Sequence, residues 1–170
     1  MRFACNKTDP KCKRCAECCK FRDKPFLTDD ENHDLSEAMF KKSKIIYLFP
    51  FSRYTISLTE HEKATLEQKA KELNITIKIL PKKTFYNSDS NEVFILDYFL
   101  DHDVCPFLED GKCSIYDFRP EICKLFPHGA STMKKDVDDY LDNNKTYNNL
   151  TFEESVKKVK EKLNLQSKSI

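Results

Sequence analysis

The chain has 170 residues, 34% of them charged and 39% hydrophobic, with no tryptophan and a formal net charge of +1. That length suits one domain, residues 1–170, burying about two-thirds of its unfolded surface, and the near-neutral charge argues against a general polyanion binder, so nucleic acid is not an expected partner. No apolar run approaches the roughly 20 residues that span a bilayer, and Met1-Arg2-Phe3-Ala4-Cys5-Asn6-Lys7 has no apolar secretory core; the expectation is a cytoplasmic protein without a membrane partner. Cytosolic thiols stay reduced, so eight cysteines read as ligands rather than disulfides.

Residues 1–24 are basic and cysteine-rich, with eight Lys or Arg against Asp9, Glu17 and Asp23, a local balance of +5. Within them, Cys12-Lys13-Arg14-Cys15-Ala16-Glu17-Cys18-Cys19 runs two C-x-x-C steps head to tail. A core cysteine is a small hydrophobe with no need of fixed spacing. Two-residue spacing lets thiolates converge on one centre, as in zinc and iron–sulfur sites. Adjacent side chains diverge by about 100° on a helix and about 180° on a strand. Cys18 and Cys19 therefore share one metal only from an irregular turn; otherwise they serve two centres or leave a spare thiol. The metal-binding segment 5–24 is expected as loop and short helix, ordered by its ligands, with Cys5 its weakest candidate.

Thr28-Asp29-Asp30-Glu31 reads as a capping box opening a helix over 29–42, with Leu35, Ala38 and Met39 inward and Lys41, Lys42 and Lys44 at its negative end. Ile45 to Phe51 is apolar and expected to be buried. Tyr54 to Leu58 alternates as a strand. A second box at Thr59-Glu60-His61-Glu62 opens a helix to about Leu73, with Leu66, Ala70 and Leu73 on one face. Ile75 to Leu80 alternates again and is predicted as a strand ending at Pro81. Asn87 to Asn91 is turn composition, and Val93 to Leu100 follows as a strand.

The second metal-binding segment, 101–128, holds Cys105-Pro106-Phe107-Leu108, then Cys113 and Cys123. Glu109 to Lys112 is a tight turn, and Arg119-Pro120-Glu121 starts a helix carrying Cys123 one turn in. Residues 131–149 are polar and expected as a loop with a short helix. A third box at Thr151 opens a C-terminal helix, 151–165, whose stripe of Phe152, Val156, Val159 and Leu163 docks on the domain.

Seven cysteines thus fall into two groups separated by a long cysteine-free stretch. Residues 85–123 carry nine acids against Lys112 and Arg119, a balance of −7, which complements the basic first segment and predicts that the two dock. Four thiolates around Zn²⁺ or a doubly positive four-iron cluster leave about −2 charge. Lys11, Lys13, Arg14, Lys20, Arg119 and Lys124 neighbour the cysteines and can offset it. His102 and His128 are additional candidate ligands by proximity to Cys105 and Cys123. No phosphate loop, nucleotide fingerprint or serine-nucleophile motif is present, and no catalytic residue is assigned.

The Cys12-x-x-Cys15-x-x-Cys18-Cys19 run, with Cys105-Pro106-Phe107-Leu108, Gly111-Lys112-Cys113-Ser114-Ile115-Tyr116, Arg119-Pro120, Cys123 and Phe126-Pro127, resembles the YkgJ-type cysteine-cluster family. That family is described as a zinc- or iron-chelating domain with a CxxCxxCC signature. The resemblance implies Cys12, Cys15, Cys18, Cys19, Cys105, Cys113 and Cys123 as metal ligands. The family is similar in turn to flagellin lysine N-methylases. Ala16 stands where glycine is usual and Lys124 where arginine is common. The glycine-rich tail and second Cys-Pro-Gly element of longer relatives are missing.

The expectation is a small α+β domain of capped helices and short strands around a cysteine-coordinated metal, structural or redox-active. Its alternatives are an iron–sulfur lysine N-methylase-like enzyme, by analogy alone, and a zinc module binding protein or nucleic acid. Iron–sulfur is preferred over zinc as the cofactor: Cys12, Cys15 and Cys18 have four-iron spacing, and Cys105, a candidate fourth ligand, precedes a proline. Zinc is more often served by two distant C-x-x-C pairs.

Overall fold

A computed structural model gives the structure of the chain and describes residues 19–21, 27–51, 55–125 and 148–164. In chain order the elements are α1 (Asp29–Ser43), β1 (Ile46–Tyr47), β2 (Ser57–Leu58), α2 (Glu60–Glu72), β3 (Ile79–Asn87), β4 (Glu92–Leu100), β5 (Leu108–Glu109), β6 (Lys112–Cys113), a 3₁₀ turn (Tyr116–Phe118), α3 (Glu121–Leu125) and α4 (Phe152–Lys162). The protein is α+β, as the sequence predicts.

All three capping boxes form. Thr28, Thr59 and Thr151 each accept an N–H from the Glu three residues on, and each Glu carboxylate accepts the threonine N–H at 2.7–2.9 Å. Reciprocal bonding satisfies amides that a helix start leaves without partners. At the other end of α2, Asn74 takes φ 54°. Its N–H reaches Lys71 O and the Ile75 N–H reaches Ala70 O, a left-handed close that ties up the next residue's donor.

That closure corrects the strand expected over Ile75–Leu80. Ile75 donates back to α2, and the Lys78 N–H goes to His102 Nε2. Ladder pairing therefore starts only at Ile79 and runs on through Pro81 to Asn87. Proline is tolerated because the β3–β4 register shifts there, on both sides of Lys83. The strand expected over Tyr54–Leu58 shrinks to Ser57–Leu58. Thr55 to Leu58 are all buried rather than alternating, because Thr55 Oγ1 donates to Leu100 O at 2.9 Å and α2 covers the strand; Tyr54 lies outside the described residues. On α1, Leu35 and Ala38 are exposed and Phe40 is the buried residue, its ring centroid 5.5 Å from that of Phe152. Leu73, as the cap of α2, is exposed too.

β3 and β4 form a long antiparallel ribbon, Asn87 opposite Glu92, with β1 beside β3 and β2 beside β4. Two apolar clusters flank it. At the turn end, Phe40, Ile46, Leu48, Tyr86, Phe152 and Val159 pack together, so α4 docks by its Phe152, Val156, Val159 and Leu163 stripe, as expected. At the open end, Phe21, Ile56, Leu58, Leu66, Ala70, Leu100, Phe107 and Ile115 form the other cluster, and Cys105, Cys113, Ile122 and Cys123 pack against it. The polar stretch expected as a loop lies outside the described residues except for Asn148 and Asn149. Asn148 is buried and donates to Ser155 Oγ at 2.9 Å.

Candidate metal centre

The open end of the ribbon delivers the second cysteine group. β4 ends at Leu100, the Asp101 N–H bonds Lys78 O at 2.8 Å, and the chain bends at Asp103 before reaching Cys105. There it pairs with the first group. The Phe21 N–H donates to Asp103 O at 2.8 Å, the Cys105 N–H donates to Cys19 O at 2.7 Å, and Lys20 bridges Val104. Backbone bonds thus join two segments 86 residues apart, and buried Phe21 anchors the crossing in the core.

Beyond Cys105 the path is set by tight turns. Pro106 fixes the second position of a turn closed by the Leu108 N–H on Cys105 O at 3.0 Å. Fully buried Phe107 pins it inward. The β5–β6 hairpin follows, with Asp110 at φ 47° and Gly111 at φ 73° as its two-residue connection. Both residues left-handed is the geometry whose twist matches paired strands, and Asp-Gly is its sequence signature. This places Cys113 opposite Leu108. The 3₁₀ turn brings Arg119 back over Tyr116: its Cζ lies 3.7 Å from the ring centroid and its Nε donates to Tyr116 O at 2.9 Å. Pro120 then accepts the Cys123 N–H at 2.9 Å, so it caps α3 rather than standing inside it.

Cys19, Cys105, Cys113 and Cys123 line one cavity of about 560 Å³, counting its open mouth. Its other described walls are mainly apolar, among them Phe21, Ile56, Leu66, Phe107 and Ile115. Arg119 is the charged residue among them, and no carboxylate of the described residues lines it. Among the described residues no three His, Cys, Asp or Glu side chains close on a common point tightly enough to hold an ion. The four thiols share a cavity without completing a coordination sphere. Cys5, Cys12, Cys15, Cys18 and His128 lie outside the described residues. His102 does not join the thiols: its Nε2 accepts the Lys78 N–H at 2.9 Å, which puts the ring proton on Nδ1 and leaves the neutral imidazole no lone pair for a metal.

Sequence reading missed what stands behind the cysteines. Ile56 and Leu66 wall the cavity, and Glu62 Oε1 accepts the Glu121 N–H at the start of α3 at 2.7 Å. The Glu62–Glu121 separation is 59 residues, and local pattern carries no signal over that distance.

The pattern of the CxxCxxCC family, described as "Putative zinc- or iron-chelating domain", matches residues 11–151. The chain belongs to this family. The match spans both cysteine groups, the whole ribbon between them and the elements from α1 to α3, and ends just before α4. No curated protein and no solved structure matches the chain. The donor chemistry of the cavity agrees with the family's description: sulfur ligands suit zinc and iron–sulfur centres, whereas calcium and magnesium need oxygen.

Proposed function

We propose that this CxxCxxCC protein is a cytoplasmic metal-binding domain. Its ligands are Cys12, Cys15, Cys18, Cys19, Cys105, Cys113 and Cys123, and its centre is an iron–sulfur cluster in preference to zinc. The observation that carries the reading is the convergence of Cys19 with Cys105, Cys113 and Cys123 on one cavity. Four cysteine sulfurs gathered at one cavity are soft donors of the kind that zinc and iron–sulfur centres take. Cys12, Cys15 and Cys18 have four-iron spacing and Cys105 is the fourth ligand, in a stretch tied to the first segment by the Cys105 N–H bond to Cys19 O, while Cys19, Cys113 and Cys123 hold a second centre or take part in redox chemistry. Arg119 stands where it can offset part of the remaining negative charge. An iron–sulfur centre supplies one-electron chemistry; zinc would supply structure alone. A protein partner is compatible with either, and the lysine N-methylase and nucleic-acid alternatives have no supporting observation of their own.

The test is metal and acid-labile sulfide analysis of protein purified without air. A brown product, with broad visible absorption that bleaches in air and is lost in Cys12→Ser and Cys105→Ser, is the expected result. Colourless protein with stoichiometric zinc and no sulfide overturns the choice of iron. Protein that takes up neither metal overturns the function.

A further inference from the structure

α2 contains no cysteine, yet one face of it meets the cysteine-bearing segment at three levels. Glu62 Oε1 accepts the Glu121 N–H at 2.7 Å. One turn on, buried Leu66 walls the cavity that Cys123 also lines. One turn further, Lys69 Nζ lies 3.9 Å over the Phe118 ring. Residues spaced three and four apart share a helix face, so α2 grips residues 118–123 along a single line.

The Glu62 contact is the directional one. α3 has five residues, too few to be stable alone, and Pro120 before it has no N–H. The Glu121 amide is therefore the first donor of the helix that carries Cys123. The same carboxylate also completes the α2 capping box: Oε2 accepts the Thr59 N–H at 2.8 Å and the Thr59 hydroxyl at 3.0 Å. One side chain thus fixes the start of α2 and the start of α3 against each other. Only a group with two acceptor oxygens can do both, which is why glutamate serves here and an alkyl side chain cannot.

We propose that Glu62 is a positioning residue for Cys123, holding α3 so that its thiol faces the cavity shared with Cys19, Cys105 and Cys113. The inference rests on the metal-binding reading only for its functional meaning; the positioning itself can be tested without metal.

The experiment compares Glu62→Ala with Thr59→Ala, in full-length protein, by two measurements. Thr59→Ala loses the cap hydroxyl of α2 but leaves both Glu62 backbone acceptances in place, so it controls for weakening of α2. In metal-loaded protein, competition with a chelator should show Glu62→Ala holding metal about tenfold more weakly than wild type, as removal of a group supporting a ligand typically does, with Thr59→Ala near wild type. In metal-stripped protein, iodoacetamide labelling read by mass spectrometry should show the Cys123 rate rising several-fold against Cys105 in Glu62→Ala only. Equal behaviour of the two variants in the labelling measurement overturns the inference, whether or not metal binds. Wild-type protein that binds no metal overturns the metal reading alone, and the labelling result then decides Glu62 by itself.

Discussion

Lys82 and Asp97 are two charged groups of the described structure that burial holds away from water. Asp97 is 2% exposed, and neither carboxylate oxygen accepts a hydrogen bond. Lys83 Nζ comes within 3.0 Å of Oδ2, but off the hydrogen-bonding direction. Burial pushes the Asp97 carboxyl up, and Lys83 and Lys82 pull it part of the way back. Lys82 donates to Ser57 Oγ, and burial brings its ammonium down to about 8, against a smaller opposing pull from Asp97. In the unfolded chain Lys82 keeps its proton to about 10.5. Between those values the unfolded state binds more protons, so stability should rise as pH climbs from about 8 to about 10.5. Below pH 8 the full cost of burying the charge is present. Lys82→Met should flatten that rise and stabilise the protein near pH 7 by roughly 2 kcal/mol, read as urea midpoints across pH. An unchanged slope would mean that Lys82 is not the group responsible. Asp97 works in the opposite sense: folding favours its protonated form, so acid costs no stability through this residue.

Among the elements, the β5–β6 hairpin sets the position of Cys113 with the fewest residues. Its register depends on two consecutive left-handed residues, and Gly111, at φ 73°, has open space where a Cβ would go. An alanine there meets no atom and pays only the backbone penalty. Gly111→Ala should therefore cost about 1 kcal/mol, and Gly111→Asn less, because asparagine tolerates that conformation. Thermal unfolding of the two variants checks the order. Equal loss from both would point to a steric cause that the open space contradicts. The capping boxes form a second set of local devices. Thr151→Ala should cost about 1 kcal/mol and loosen α4 without touching the cavity, since Phe152 and Val159 belong to the other cluster.

At the scale of the molecule, the division into two apolar clusters predicts an uneven response to metal. Cys105, Cys113 and Cys123 pack on the open-end cluster, and Phe21 ties the first segment into it. The α1–α4 cluster contains none of the described cysteines. A bound metal contributes free energy to the part it crosslinks. Chelation should accelerate amide exchange at Phe21, Cys105, Ser114 and Cys123 by tenfold or more, while amides of α1 and α4 keep their protection. Uniform acceleration would mean that the clusters unfold as one unit. No acceleration would mean that ligation does not hold the open end.

The sequence by itself determined whatever depends on a few consecutive residues. The three Thr-x-x-Glu boxes fixed where α1, α2 and α4 begin, Asp110-Gly111 fixed the hairpin, and the spacing of Cys12, Cys15, Cys18 and Cys19 carried the family. These are short-range signals, because capping bonds, turn dihedrals and C-x-x-C steps all close within four residues. Tertiary structure decided which apolar residues turn inward and which strands extend. Leu35 and Leu73 look like core by periodicity but face solvent, while Phe40 takes the interior place. β3 starts late and runs through Pro81 because the donors of Ile75 and Lys78 are taken by Ala70 and His102. His102, a ligand candidate from its neighbours in sequence, is occupied by that same Lys78 amide. Glu62, silent in the sequence, reaches the helix of Cys123 across 59 residues. Each of these outcomes depends on a hydrogen-bond partner or a packing surface supplied by a distant part of the chain, and a local pattern cannot encode a partner that it does not contain.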